Sequence, residues 1–143
     1  MLVISEYPIK VVFYRTETNN EPVRKWLKEL SRSDRKIIGE DIKTVQFGWP
    51  LGMPLVKKVD VGLWKIRSKL DNKISRVIFT IYNDLIVLLH GFIKKSQKIP
   101  TGDLNLAKNR LQILKGNLSK TSILAVILMT FLKKKAYFLK QKR

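Results

Sequence analysis

The chain has 143 residues, room for one domain of ordinary size. Lys and Arg number 29 against 11 Asp and Glu, a formal charge of +18 that points to a polyanionic partner, while an apolar fraction of 45% argues for a packed core rather than disorder. The absence of Cys excludes disulfides, thiol catalysis and cysteine-ligated metal, and a single His cannot build a histidine metal centre, so neither a metal nor a cofactor is expected.

The first eight residues carry Glu6 and no basic start or apolar core, so they do not read as a secretory signal, and the reducing cytoplasm is the compatible compartment. Residues 9–14 (Ile-Lys-Val-Val-Phe-Tyr) are β-branched and aromatic, as in a strand. Thr18, Asn19 and Asn20 break it, and Pro22 stands where a first helical residue belongs. Val23, Trp26, Leu27 and Leu30 recur at helical spacing on an inner face, with Arg24, Lys25 and Lys28 outside. Ser33 and Asp34 predict the start of a second helix, with Ile38, Ile42 and Val45 on its inner stripe and Gly48 as its stop.

After a loop marked by Gly52 and Pro54, residues 63–70 alternate: Trp64, Ile66 and Leu70 on one face, Lys65, Arg67 and Lys69 on the other. Asp71, Asn72 and Lys73 turn the chain into a second strand, residues 74–82, with Val77, Phe79 and Ile81 inward and Arg76, Thr80 and Tyr82 outward. Asn83 and Asp84 turn it again into residues 85–93, nearly all apolar, as a central strand covered on both sides would be. Pro100 and Thr101 open a third helix carrying Leu104, Ala107, Leu111 and Leu114 and closed by Gly116. The predicted class is α+β: an N-terminal strand and two helices on one face of an antiparallel sheet, then a C-terminal helix, over residues 1–116.

Residues 117–143 form a separate extension with seven basic residues and no acid. Its apolar run, residues 123–132, is interrupted by Thr130 and falls short of the ~20 residues a membrane span needs, so a membrane partner is not expected. A helix buried against protein is the expectation for it, with no role defined. Without the extension 22 basic residues face 11 acids, and the domain still carries +11.

On the meander, Lys65 and Arg67 share a strand face, and Arg76 belongs to the same-facing set of the next strand. His90 ends the third strand, and Lys94, Lys95 and Lys98 follow it. One reading is an exposed face of a basic protein. The other is an anion site, because like charges gathered on one face repel unless a ligand neutralises them. Cleaving RNA without metal needs a group to take the 2′-hydroxyl proton, cations to hold charge on phosphorus and a donor for the leaving 5′ oxygen, and Lys, Arg and His can supply all three. No paired carboxylates, glycine-rich phosphate loop or G-x-S-x-G is present, and Ser96 has no evident acid partner.

The segments Leu63-Trp64-Lys65-Ile66-Arg67 and Arg76-Val77-Ile78-Phe79, then the run from His90 through Phe92, Lys94, Lys95, Ser96, Gln97 and Lys98 to Pro100, followed by a helix with Ala107 and Arg110, resemble the RelE/ParE toxin superfamily. The likeness is nearest to its HigB-like, phage-derived branch and covers about residues 9–115. It implies a toxin of a type II toxin–antitoxin system that cleaves mRNA on the ribosome, with a helix-turn-helix antitoxin as partner and operator DNA reached only through that antitoxin. It also implies Arg67 and Arg76 at the scissile phosphate, Lys65 in substrate orientation or proton abstraction, Lys95 or His90 at the leaving group, and Lys69, Lys94 and Lys98 as RNA contacts. Some relatives use a C-terminal Tyr or His; here Tyr137 lies in the extension, outside the resemblance. The alternatives are a ParE-like gyrase inhibitor without nuclease activity, or an inactive nucleic-acid-binding relative. His90 also reads as a hydrogen-bonded structural residue. The three Trp read as core, Trp64 with the further option of bordering an RNA path, and the first two helices as an antitoxin-docking surface or plain packing.

Overall fold

The computed structural model describes residues 9–52, 54–95 and 97–116, so the extension with Tyr137, and Ser96, lie outside the described residues. In chain order the elements are β1 (Lys10–Phe13), α1 (Pro22–Glu29), α2 (Arg32–Gly48), β2 (Val56–Asp60), β3 (Leu63–Lys69), β4 (Ile74–Tyr82), β5 (Leu85–Ile93) and α3 (Thr101–Gly116). The class is α+β, with one sheet in the order β1-β5-β4-β3-β2.

Local chemistry accounts for the element boundaries. Pro22 occupies the first turn of α1, where its missing N–H has no partner to lose. The cap of α2 is Ser31, two residues ahead of Ser33: its hydroxyl accepts the Asp34 N–H at 3.1 Å. Asp34 is thereby drawn into the buried first turn, where Lys73 from the β3–β4 turn meets it at 3.3 Å. Asn83 and Asp84 both have positive φ, 50° and 61°, the conformation of a two-residue hairpin turn whose twist matches that of its strands.

Two features differ from the sequence expectation. The sheet is mixed, since β1 runs parallel to β5, with Val11 beside Ile86 and Phe13 beside Leu88. A parallel neighbour needs a long crossover, and everything between β1 and β5 supplies it, whereas strand composition carries no sign of direction. The helices also lie on both faces. On one, Ile66, Val77, Phe79, Ile86 and Leu88 pack with Val23 of α1 and Ile38, Ile42 and Val45 of α2; on the other, Leu63, Ile78, Val87 and Leu89 pack with Ala107, Leu111 and Leu114 of α3. Strand β2, with Lys57, Lys58 and Asp60 in five residues, is too polar to announce itself by composition and closes the far edge.

Trp26 of α1 lies flat against Gly91 of β5: a Cβ at position 91 would fall 2.4 Å from its Cε3. Only glycine lets that indole and the strand backbone approach so closely. Opposite, Lys108 of α3 pairs with Asp60 of β2 at 2.9 Å, and Thr80 donates to the Gly62 carbonyl at 2.6 Å. The α3 core stops short of Lys65, Arg67 and Lys69, which leaves one end of that sheet face without a helix over it. Among the described residues no helix is long and apolar enough to cross a membrane.

Candidate nucleic-acid interface

Residues directly paired across strands present their side chains on the same face. One row on the α3 side therefore runs Lys57, Lys65, Ile78, His90, and the next runs Arg67, Arg76, Phe92. The segment after β5 continues beside β4, the Lys94 N–H donating to the Ile74 carbonyl at 2.7 Å. That brings Lys94 to the same end, where its ammonium donates to Gln97 Oε1 at 3.3 Å.

Burial and the crowding of cations act together on Lys65. Partial burial, followed by the charges of Arg76, Lys57, Lys94 and Arg67, lowers the Lys65 amine from its ordinary 10.5 to about 8. The Lys65 nitrogen thus gives up its proton far more readily than a surface lysine.

Arg76 occupies a different position from the one its place in the strand suggests. It is 2% exposed, lying beneath the segment that follows β5, and its Nη2 donates to the Gln97 carbonyl at 2.7 Å. Its Nε and Nη1 are buried without a partner. Burial, and then Arg67, lower its pKa. A buried, incompletely bonded guanidinium is held at a cost, and here it stands as a fixed positive charge under Lys65 and Arg67.

His90 shares a row with Lys65, but Ile78 separates them, two strand spacings or about 10 Å. Its Nε2 is 2.6 Å from Asp103 Oδ1 in the first turn of α3, and its ring stacks on Phe92 with centroids 5.4 Å apart. The register shift between Ile78 and Phe79 makes Leu89 the extra residue of a bulge just before His90. Arg110 seals this bulge, donating to the Leu89 carbonyl at 2.6 Å with its guanidinium over the Tyr14 ring.

Lys69 and Lys95 are exposed and line an open hollow at the tip of the β3–β4 hairpin together with Asp71, Lys73, Lys94 and Gln97. Lys98 is exposed further along the same segment. Trp64 is on the other face of β3, edge-on to Trp49 at 5.2 Å and stacked on Phe79, so it does not border the cationic surface. The basic outer residues of α1 and α2 are likewise across the sheet from Lys65.

The arrangement gathers Lys57, Lys65, Arg67 and Lys94 over a buried Arg76, with Lys69 and Lys95 beside them. Sequence reasoning missed Lys57, whose only signal is its register opposite Lys65, and Gln97, Asp103 and Arg110 as the groups that hold Arg76, His90 and the bulge. Such a face can bind an anion and deliver an amine able to exchange a proton near neutral pH.

A mixed five-stranded sheet with two helices on one face, one on the other and this cationic strand end defines a small basic protein of RelE-like fold. A family model described as phage-derived protein Gp49-like (DUF891) matches residues 25–112, well over half of the chain, from α1 to near the end of α3. The protein belongs to that family, one of RelE/HigB-like toxins of toxin–antitoxin systems, whose partner is an antitoxin. No curated protein matches the chain.

Proposed function

We propose that the protein is a cytoplasmic, metal-independent endonuclease that cuts mRNA on the ribosome and is held in check by a helix-turn-helix antitoxin. The observation that carries this reading is the gathering of Lys57, Lys65, Arg67 and Lys94 over the buried Arg76, which with partial burial lowers the Lys65 amine to about 8. At neutral pH a minor but usable share of it is unprotonated, as a general base requires. It takes the proton from a 2′-hydroxyl; that oxygen attacks phosphorus, a 2′,3′-cyclic phosphate forms and the 5′ oxygen leaves. Arg67 faces the charge that builds on the phosphate, and Arg76 raises the local potential from below without touching the substrate. Protonation of the leaving oxygen falls to Lys94 or Lys95, and Lys69 and Lys98 hold flanking phosphates. His90, bonded to Asp103, positions α3 against β5.

Inducing the protein in cells and mapping mRNA 5′ ends tests the reading, with Lys65→Ala and Arg67→Ala in parallel. Codon-phased cuts that both substitutions abolish are expected. Growth arrest without cuts would replace it with gyrase inhibition, and cuts surviving both substitutions would remove Lys65 and Arg67 from the chemistry.

A further inference from the structure

We infer that Lys65 is a site of N-acylation by acyl phosphates, small anionic acyl donors that the cluster of Lys57, Arg67 and Lys94 draws to its amine. The inference rests on the cationic cluster and is independent of whether the chain cleaves RNA.

Two requirements of such a reaction are met at one place. The donor must be captured, and an acyl phosphate is a compact dianion that suits a surface where several cations converge. Lys65 pairs directly with Lys57 across β2 and β3, and Arg67 is two residues along on the same face. The acceptor must also be a free amine. At pH 7 an amine of pKa about 8 is unprotonated in roughly one molecule in ten, against roughly one in three thousand at the ordinary 10.5. Nucleophilicity falls with basicity and offsets most of that gain, so an advantage of a few-fold over an ordinary lysine remains.

The neutral Nζ attacks the acyl carbon, the N–C bond forms, and the C–O bond to the phosphate breaks with its electron pair leaving on that oxygen. The proton lost from nitrogen passes to solvent, and inorganic phosphate departs from the same cations that captured the donor. The product is an amide with no charge and no basic nitrogen, so one modification removes a cation and the titrating group together.

The test uses the full chain treated with acetyl phosphate at pH 7, acetylation being followed residue by residue by mass spectrometry. Lys36 and Lys43, exposed on α2, serve as internal references. Lys65 is expected to react a few-fold faster than either. Inorganic phosphate at constant ionic strength should slow Lys65 selectively. The neutral donor p-nitrophenyl acetate should show a smaller preference for Lys65 and no sensitivity to phosphate. A Lys65 rate equal to that of Lys36 would overturn the inference. So would a preference that is the same with both donors and indifferent to phosphate, because the cluster would then have no part in capture. All arms use the unsubstituted protein, so folding of a variant does not enter, and Lys65 acetylation in a chain that cuts no RNA would leave the inference standing.

Discussion

The Gln97 backbone carbonyl accepts a 2.7 Å hydrogen bond from Arg76 Nη2, and this contact helps hold Gln97 over a guanidinium whose other two nitrogens are buried and unpaired. Arg76 is also the largest charge acting on Lys65, second only to burial. Arg76→Met removes the bond to Gln97 and two unsatisfied donors together, so its net effect on stability should be small, within about 1 kcal/mol in urea melts. The larger effect is on Lys65, whose pKa rises above 8 once the charge beneath it is gone. An NMR titration of the Lys65 ammonium reads this directly, and an unmoved pKa would show that Arg76 is too well screened to tune it.

Lys65 itself makes stability depend on pH in the direction opposite to a salt-bridged lysine. Its pKa falls from 10.5 in the unfolded chain to about 8 in the fold, so between those values the unfolded state binds more protons and stability rises with pH. Below about pH 8 the charged amine is a burden of order 1 kcal/mol, solvent screening having cut it well below the unscreened value of the shift. Lys65→Met should therefore be more stable than the parent at pH 7, and the gap should close as pH approaches 10. Thermal melts of the pair at pH 7, 8.5 and 10 give the comparison; a constant gap would assign the gain to packing alone.

What was legible in the residues follows from which interactions are local. The β3–β4 hairpin was readable because each strand is half-buried and a short turn joins them, so alternation alone put Lys65, Arg67 and Arg76 on one face. The direction of β1 was not, since a parallel partner 75 residues away leaves no local mark: Lys10 pairs with Leu85. The placement of α3 on the opposite face from α1 and α2 was hidden for a related reason, because β5 is nearly all apolar and accepts a helix on either side. Arg76 reads as a surface cation because nothing in β4 reveals that the Gln97 carbonyl comes to lie against its guanidinium. His90 had its partner, Asp103, 13 residues on, in an element whose docking the strand pattern does not determine.

The contact between Trp26 and Gly91 predicts a large effect from one methyl group. Gly91→Ala places a Cβ 2.4 Å from Cε3 and 2.5 Å from Cζ3 of the indole, a ring whose sideways escape is limited by its place in the α1 core. The helix must move away from β5, a strain of about 1 to 3 kcal/mol in chemical denaturation. Trp26→Leu alone loses buried ring area, but in the double variant Gly91→Ala should be nearly neutral. If the two losses simply add, the clash is not the source of the effect.

Lys57 separates a cation that belongs to the interface from one that merely adds to the net charge. It pairs with Lys65 across β2 and β3 and helps lower its pKa, whereas Lys58, next in sequence, points to the other face and lies 6.0 Å from the Trp64 ring centroid. Adjacent residues of one strand thus give a matched pair of substitutions with the same change in charge. Lys57→Ala should weaken binding of a short single-stranded RNA and reduce the slope of log affinity against log salt by roughly 0.7, the loss of about one phosphate contact. Lys58→Ala should leave that slope nearly unchanged. Fluorescence anisotropy between 50 and 300 mM salt measures both. Equal slopes in the two variants would mean that RNA responds to total charge, and the face built around Lys65 would lose its claim to be the binding surface.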